Sequence, residues 1–399
     1  MTQPTFDARL KHLRQRRGLN RDVFGGLLGR SAEWVKAVET GKILMPRLPM
    51  LLRIAEVLQL DDLTELVGEQ ALPVETVTRG AHDQVTEVAD ALLSAASTPA
   101  PDREPNLTAL AGRIDDGWRR WCTLADQKTA VADLLPGLLT EAHGAVRALD
   151  GVPRRHALAE LSRLYSLAQS YFAWQPVGEY VWLAADRAMA AAQDADDPLA
   201  MAVAARYYAE VYRTAGQADR AAATTLEAAR YLDPGAGPEH QARWGSLHLA
   251  AAQAEAQAGR AGDSWRHWDA AGRAADALGE HYVHPWLRFG RIDVDGFALW
   301  MTNRLFKPAE TLRRADRIDW SSLPSPGRRA ARLLDVAEAH QQLAEPTGVV
   351  HMIGRAHRES AETVRFSLFA RRALMELAAR PGAVRQDARE LATAIGVIG

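Results

Sequence analysis

Residues 18–41 constrain the fold of this chain more than any other stretch of its sequence. Asn20 and Ser31 are good helix N-caps, and each precedes a short run with apolar residues at helical spacing. Gly29 separates the two runs, because glycine readily adopts the positive φ that a sharp helix end requires. The stretch therefore predicts two short helices joined by a tight turn, which is the shape of a helix-turn-helix.

The charge distribution separates this region from the rest of the chain. Up to Arg53 there are eleven Lys or Arg against four acidic residues, a net charge of +7, whereas the whole chain carries −2 and the remainder therefore −9. A basic module on an acidic body favours phosphate contact through the N-terminal region alone. The second helix of a helix-turn-helix enters a DNA major groove, so double-stranded DNA is the expected partner.

A gap-free motif runs through the same region, as Gly18-Leu19-Asn20, Leu28-Gly29, Ser31 and Val38-Glu39-Thr40-Gly41. With this motif, residues 10–58 resemble the XRE family of DNA-binding domains, the phage repressor and Cro type. The chain departs from the family at Arg21, where Gln is usual, and at Gly25-Gly26, where Ala and a polar residue are usual. The resemblance implies a compact domain of five helices over residues 1–70.

Candidate DNA contacts follow from the position of each residue in the motif. The residues expected to face the bases are Ala32, Glu33, Lys36 and Ala37. Glu33 is able to accept a hydrogen bond from a cytosine amino group, although it also suits the helix N-terminus through the dipole. Trp34 is either a backbone contact through its indole N–H or a prop for the helix. The resemblance implies phosphate contacts at Arg21, Ser31, Lys42 and Arg47.

Three more helices and a connector complete the chain up to residue 106. Apolar periodicity predicts a first helix ending near Gly18, a fourth starting at Pro49 and a fifth ending at Gly68. Residues 71–106 form the predicted connector. Its first part, 74–94, is periodic enough for one helix, and 97–105 contains three prolines and predicts an extended linker.

Residues 107–399 predict a helical repeat domain. They are Ala-rich, almost nothing in them alternates like a strand, and glycine or proline breaks recur so that helix pairs repeat at about 35 to 45 residues. In 199–234, the spacing of Tyr212, Gly216, Ala221, Ala228 and Pro234 resembles the tetratricopeptide pattern. The fold class is all-α: a five-helix XRE domain followed by a tetratricopeptide-like α-solenoid. This plan resembles a group of actinobacterial regulators.

Aromatic residues with polar tips concentrate in the repeat domain and suggest a ligand pocket. The candidate set is Trp265, Trp268, His281, Tyr282, His284, Trp286, Trp300 and Asn303. Such residues on a concave helical array suit an apolar small molecule or a peptide held by a few hydrogen bonds. The alternative is that they fill gaps between repeats. Peptide-sensing regulators of this plan use many Asn side chains, and this chain has only three.

Catalytic and metal-binding patterns are weak. His281-x-x-His284 lacks a third ligand and is followed by Pro285, and Cys122 has no His near it in sequence. We therefore expect no enzyme activity, metal or cofactor. A single cysteine favours a reducing cytoplasm, with association to the nucleoid when the protein binds DNA. No apolar run reaches the length of a membrane span, so no membrane partner is expected.

Together these patterns predict a sequence-specific DNA-binding transcriptional regulator. A helix-turn-helix reads few bases alone, so a homodimer on a pseudo-palindrome is the usual arrangement. The repeat domain, residues 107–399, is expected to support dimerisation and to sense an effector. The alternative is an interaction protein, in which the repeat domain docks a partner protein and the N-terminal domain tethers it to DNA.

Overall fold

The computed structural model describes residues 5–43, 45–46, 48–60, 63–68, 80–94, 97–287, 289–323 and 325–398. The regular secondary structure of these residues is helical, and they contain no β-strand, only a single bridge between Val283 and Gly290. The prediction of an all-α chain, with an N-terminal helix-turn-helix domain followed by a helical repeat-like region, is confirmed.

The N-terminal domain, called the head below, holds the helices α1 Phe6–Arg16, α2 Arg21–Leu28, α3 Ala32–Glu39, α4 Leu48–Leu58 and α5 Thr64–Val67. Their inward-facing apolar side chains form one cluster in which Leu10, Phe24, Val35 and Ile54 are fully buried. A core of this size is small, and the helix caps and ion pairs described below add to its stability.

The remaining helices, called the body below, follow in chain order. They are α6 Val85–Leu93, α7 Leu107–Thr123, α8 Gln127–Ala132, α9 Leu135–Ala148, α10 Gly151–Phe172, α11 Gly178–Ala195, α12 Pro198–Thr214, α13 Ala218–Ala229, α14 Pro238–Gln257, α15 Ala261–Leu278, α16 Arg291–Arg304, α17 Pro308–Ala315, α18 Pro326–Gln342, α19 Pro346–Glu359, α20 Ala361–Arg365, α21 Leu368–Ala379 and α22 Arg385–Ala394.

Alternate helices of the body form an inner row. Each of α10, α12, α14, α16 and α18 packs against the next member of the row, and α11, α13, α15, α17 and α19 pack against them from outside. Small residues make this close packing possible, because α14 buries Ala250, Ala251, Ala252, Ala254 and Ala256 along its length. Helices end at predicted breaks such as Gly216 and Gly259, both with positive φ.

The inner row closes on itself. Helix α7 contacts α10 at one end of the row and α18 at the other. The seam next to this contact is polar: the Glu362 carboxylate of α20 accepts hydrogen bonds from the backbone N–H groups of Lys128 and Thr129 at 2.7 and 2.9 Å. The Lys128 side chain is fully buried beside Trp174, with Nζ 4.4 Å from the centre of that ring. The body is therefore a closed turn of superhelix, which the repeat period alone did not predict.

The connector differs from its prediction. One helix was expected over 74–94, but residues 80–84 are not helical and α6 begins at Val85, while 69–79 lie outside the described residues. The apolar face of α6, with Val88 and Leu92, is buried in the core of the body. The proline-rich stretch after it also packs on the body, since a Cβ on Gly144 of α9 would lie 3.3 Å from Pro101.

Candidate nucleic-acid interface

The helix-turn-helix is held by the caps that the sequence predicted. The Asn20 side chain accepts a hydrogen bond from the Val23 N–H at 2.8 Å, and Ser31 Oγ accepts one from the Trp34 N–H at 3.2 Å. Gly29 ends α2 with φ 65° and ψ 37°, the left-handed conformation that lets the chain reverse within a short turn. Helix α3 therefore starts at a fixed angle to α2, as a recognition helix must.

A buried carboxylate locks the far end of α3 to the rest of the head. The Glu39 side chain is fully buried, and both its oxygens are bound by Arg14 of α1, with Nη2 to Oε2 at 3.2 Å. Arg21 Nε of α2 donates to the same carboxylate at 2.8 Å. Burial on its own raises the pKa of Glu39, but the hydrogen bonds and charges of Arg14 and Arg21 outweigh it and hold the pKa below its ordinary value.

This ion-pair cluster includes one candidate phosphate contact and a residue that the sequence missed. Arg21 was expected at a DNA phosphate; its Nε binds Glu39 of α3, and 35% of its side chain remains exposed. Arg14 was not predicted. The sequence does hint at its role, because Arg14 lies one helical turn after Leu10 on the inward face of α1. A charge buried there without a partner would be costly, so a partner carboxylate could have been expected.

The side chains of α3 divide into an exposed and a covered set. Glu33, Lys36 and Lys42 are exposed to solvent, while Ser31 and Ala32 are half-buried. Ala37 was expected to face the bases, but only 6% of it is exposed. The loop after the helix folds back over Ala37, whose carbonyl accepts from the N–H groups of Lys42 and Ile43. Arg47, the remaining phosphate candidate, lies outside the described residues.

Trp34 acts as a prop in this structure. Its ring is half-buried and packs against the core of the head. The Arg30 guanidinium lies 5.8 Å from the centre of the ring, so the residue before the Ser31 cap and the first turn of α3 brace each other.

The predicted aromatic pocket of the body is not formed as one site. Trp286 lies inside the closed turn, with its ring 5.6 Å from that of Trp118 and 4.9 Å from the Arg163 guanidinium. His284 is 1% exposed and braces the turn before Trp286, because its Nδ1 accepts from the N–H of Leu287 at 3.2 Å. Burial, then the charge of Arg243, lowers the pKa of His284 to about 4, so this imidazole is neutral at pH 7.

Tyr282 belongs to this site, with its ring 6.4 Å from that of His284, while the other members of the predicted set lie elsewhere. Two of them, Trp265 and Trp268, stack edge to face at the junction of α15 with α16 and α17, under the guanidinium of Arg314. The centre of the Trp300 ring lies 4.7 Å from the Arg213 guanidinium and 5.1 Å from the Arg304 guanidinium. The two remaining residues are Asn303, which is buried and donates a hydrogen bond to the Asp335 carbonyl at 2.5 Å, and His281, which is exposed.

A cavity of about 580 Å³ opens at the seam of the body. Its polar lining residues include His82, Asp126, Glu362 and Arg365, and Phe366 contributes an apolar surface. His82 belongs to the stretch between head and body, and its Nε2 lies 3.0 Å from Thr129 Oγ1. Across the described ranges, no group of three or more His, Cys, Asp or Glu is arranged to hold a metal ion.

Comparison with known proteins identifies the head. The family model described as a helix-turn-helix domain matches residues 7–66, which include all of α2 to α4 and all but one residue each of α1 and α5. Searches of curated proteins and of solved structures return no match. In the part of the chain that the structure describes, no helix is long and apolar enough to cross a membrane. The helix-turn-helix match and the exposed face of α3 support a DNA-binding regulator.

Proposed function

We propose that this chain is a sequence-specific transcriptional regulator of the XRE type that binds double-stranded DNA through α3. The observation that carries the proposal is the exposed face with Glu33, Lys36 and Lys42, on a helix fixed at one end by Ser31 and at the other by the Glu39 ion pairs. In this position Glu33 reads base edges and Lys42 neutralises a phosphate. Ala32 is a second base contact, and Ser31 a second phosphate contact.

The regulator works as a homodimer in this proposal, and its body is a tetratricopeptide-like helical domain. A symmetric dimer on a pseudo-palindrome doubles the number of bases read. Apolar side chains that the head leaves about half exposed support it: Val23 at 50%, Leu27 at 48% and Leu52 at 54%. No observation on the described residues favours the alternative role as a protein scaffold, so we do not propose it.

The body also senses an effector in this proposal, a small molecule or a peptide. The aromatic residues support it less than the sequence suggested, because most of them are occupied by arginine partners. The seam cavity supports it more, since its volume of about 580 Å³ lies in the usual range for ligand pockets and His82 links it to the stretch leading to the head.

The salt dependence of DNA binding tests the proposal. Lys42→Ala removes one phosphate contact, so we expect the slope of log K against log salt to flatten by roughly one unit, with weaker binding on every duplex sequence. Lys307→Ala, an exposed lysine of the body, is the matched control and should leave the slope unchanged. Fluorescence anisotropy on mixed-sequence duplexes measures both. Equal slopes for the two variants, or no duplex binding by the parent, would contradict the proposal.

A further inference from the structure

The head and the body meet at the N-terminal end of the recognition helix. Arg30 Nη1 donates to the carbonyl oxygen of Gln257, the last residue of α14, at 3.2 Å. Ser31, the N-cap of α3, packs against Gly259 in the turn between α14 and α15. A Cβ placed on Gly259 would lie only 2.7 Å from Ser31 Cβ and 3.4 Å from its Oγ. The backbone of this turn is therefore in direct contact with the start of α3.

A second contact fixes the loop that follows α3. Arg372 of α21 donates a hydrogen bond from Nη2 to the carbonyl oxygen of Met45. The α14–α15 turn and α21 are more than a hundred residues apart in the chain, and both touch the head. The head is therefore held at two points that flank the recognition helix, one before it and one after it.

DNA and the α14–α15 turn compete for the same space. The first residues of a recognition helix contact base edges, and the major groove that receives them is about 8.5 Å deep. A protein segment in van der Waals contact with Ser31 lies within that depth. We propose that the α14–α15 turn is a docking surface for the head, that the docked state excludes DNA, and that the head must leave the turn to bind; this inference rests on the proposed function.

The charges at the junction between head and body weaken the docked state. Burial, then the positive charges of Arg304 and Arg53, lowers the pKa of Arg30 to about 10, so its charged form is disfavoured where it docks. Its Nε is buried without a hydrogen-bond partner among the described residues. Arg304 and Arg213 also both contact the ring of Trp300. DNA phosphates offer these cations the opposite charge, so a duplex is a strong competitor for the head.

Two glycines provide a matched test. Gly259 and Gly216 each follow a helix of the inner row, with φ of 80° and 79°, so an alanine strains both backbones alike. Only at Gly259 does the new Cβ meet Ser31, because a Cβ on Gly216 has nothing within 4 Å.

The apparent Kd for DNA equals the intrinsic Kd divided by the fraction of molecules whose head is undocked. We expect Gly259→Ala in the full chain to bind duplex DNA at least about threefold more tightly than Gly216→Ala.

A second pair of variants covers the case in which Gly259→Ala does not fold. Arg372→Ala removes the contact with Met45, and Arg380→Ala, an exposed residue just after the same helix, is its control. Amide hydrogen exchange at residues 257–261 reports directly on docking and does not require an affinity measurement. We expect exchange there to rise when the parent is saturated with a duplex selected from random sequences.

The outcomes separate the docking surface from the proposed function. Tighter duplex binding by Gly259→Ala or Arg372→Ala than by its control, with faster exchange at the turn on DNA binding, supports docking. Folded variants that bind like their controls, or an unchanged turn in the DNA-bound parent, overturn docking and leave the proposed function standing. If neither the parent nor any variant binds any duplex, the proposed function fails.

Discussion

Glu39 shows how one residue sets the geometry of the candidate interface. The sequence placed it in the closing motif of the helix-turn-helix, but its partner Arg14 lies 25 positions earlier. Arg21 was expected on the DNA side and is part of the same cluster. The caps at Asn20 and Ser31 were predictable because each acts on a backbone group three residues away. Contacts between distant charges have no such local signal, which is why the ion pairs were missed.

The low pKa of Glu39 predicts how the stability of the head depends on pH. A carboxyl whose folded pKa lies below its unfolded value stabilises the fold above the unfolded pKa, and that contribution is lost as pH falls through the folded pKa. Glu39→Gln leaves the buried charge of Arg14 without its partner, so we expect a loss of about 3 kcal/mol or more at neutral pH. The gap between parent and variant should narrow below about pH 4. Urea unfolding, followed by amide exchange in the head, measures both.

Glu33→Gln is the control for this prediction, because Glu33 is an exposed glutamate of the same helix. It should change the free energy of unfolding by less than about 0.5 kcal/mol at any pH. A gap between parent and Glu39→Gln that stays constant down to acid pH would show that the carboxylate charge contributes nothing to the stability of the head.

At the scale of the helix, the adjacent glycines of α2 have opposite environments. A Cβ on Gly25 would lie 2.7 Å from the Arg30 carbonyl oxygen and 3.0 Å from that of Ser31, so the absent side chain lets α2 approach the turn before α3. A Cβ on Gly26 has nothing within 4 Å. The sequence marked both residues as departures from the family, but only the packing tells them apart.

This difference predicts opposite effects of the same substitution. Gly26→Ala should stabilise the head by about 0.5–1 kcal/mol, because alanine loses less backbone entropy in a helix. Gly25→Ala should destabilise it by about 1–3 kcal/mol, since the added methyl group forces α2 away from the turn. Each variant is the control for the other in urea unfolding with head-specific amide exchange. Shifts of the same sign in both would contradict the packing described for α2.

The helices of the body were more predictable than the sites on them. Glycine and proline breaks located most helix ends, because these residues act locally. The aromatic residues were expected in one pocket because they are close in sequence. They divide into two groups instead: Trp265, Trp268 and Trp300 pack against the cluster around Ala252 and Met301, whereas Tyr282, His284 and Trp286 contact one another in the loop between α15 and α16. Apart from Arg304, which lies one turn after Trp300 on α16, their arginine partners come from other helices and were not visible in the pattern.

For the whole molecule, the repeat period predicted a helical array but not its closure. The hydrogen bond from the Lys128 N–H to Glu362 joins residues 234 positions apart, so no local pattern reports it. Glu362 also accepts from Thr129 Oγ1 at 2.8 Å, and Ser360 Oγ donates to the Ala125 carbonyl at 2.6 Å. These bonds hold the two ends of the body together around the seam cavity.

The hydrogen bonds at the seam predict that the Glu362 carboxylate stabilises the whole body. Glu362→Gln removes the charge that caps α8 and faces Lys128, so we expect the body to lose about 2 kcal/mol of unfolding free energy. Glu359→Gln is the control, because its ion pair with Arg329 is partly exposed and is worth about 1 kcal/mol or less. Urea unfolding followed by tryptophan fluorescence compares them. Equal losses in the two variants would show that the seam does not stabilise the closed turn.

The central claim, sequence-specific DNA binding through α3, is tested most directly by selecting bound duplexes from a random library with the full chain. We predict an enriched pseudo-palindromic consensus whose half-sites lie about 10 base pairs apart, or a multiple of that distance, as expected for two recognition helices. Glu33→Ala should relax the preference at one position of each half-site and keep the others. A library that shows no enrichment over the input, or a consensus that Glu33→Ala leaves unchanged, would contradict base reading by α3.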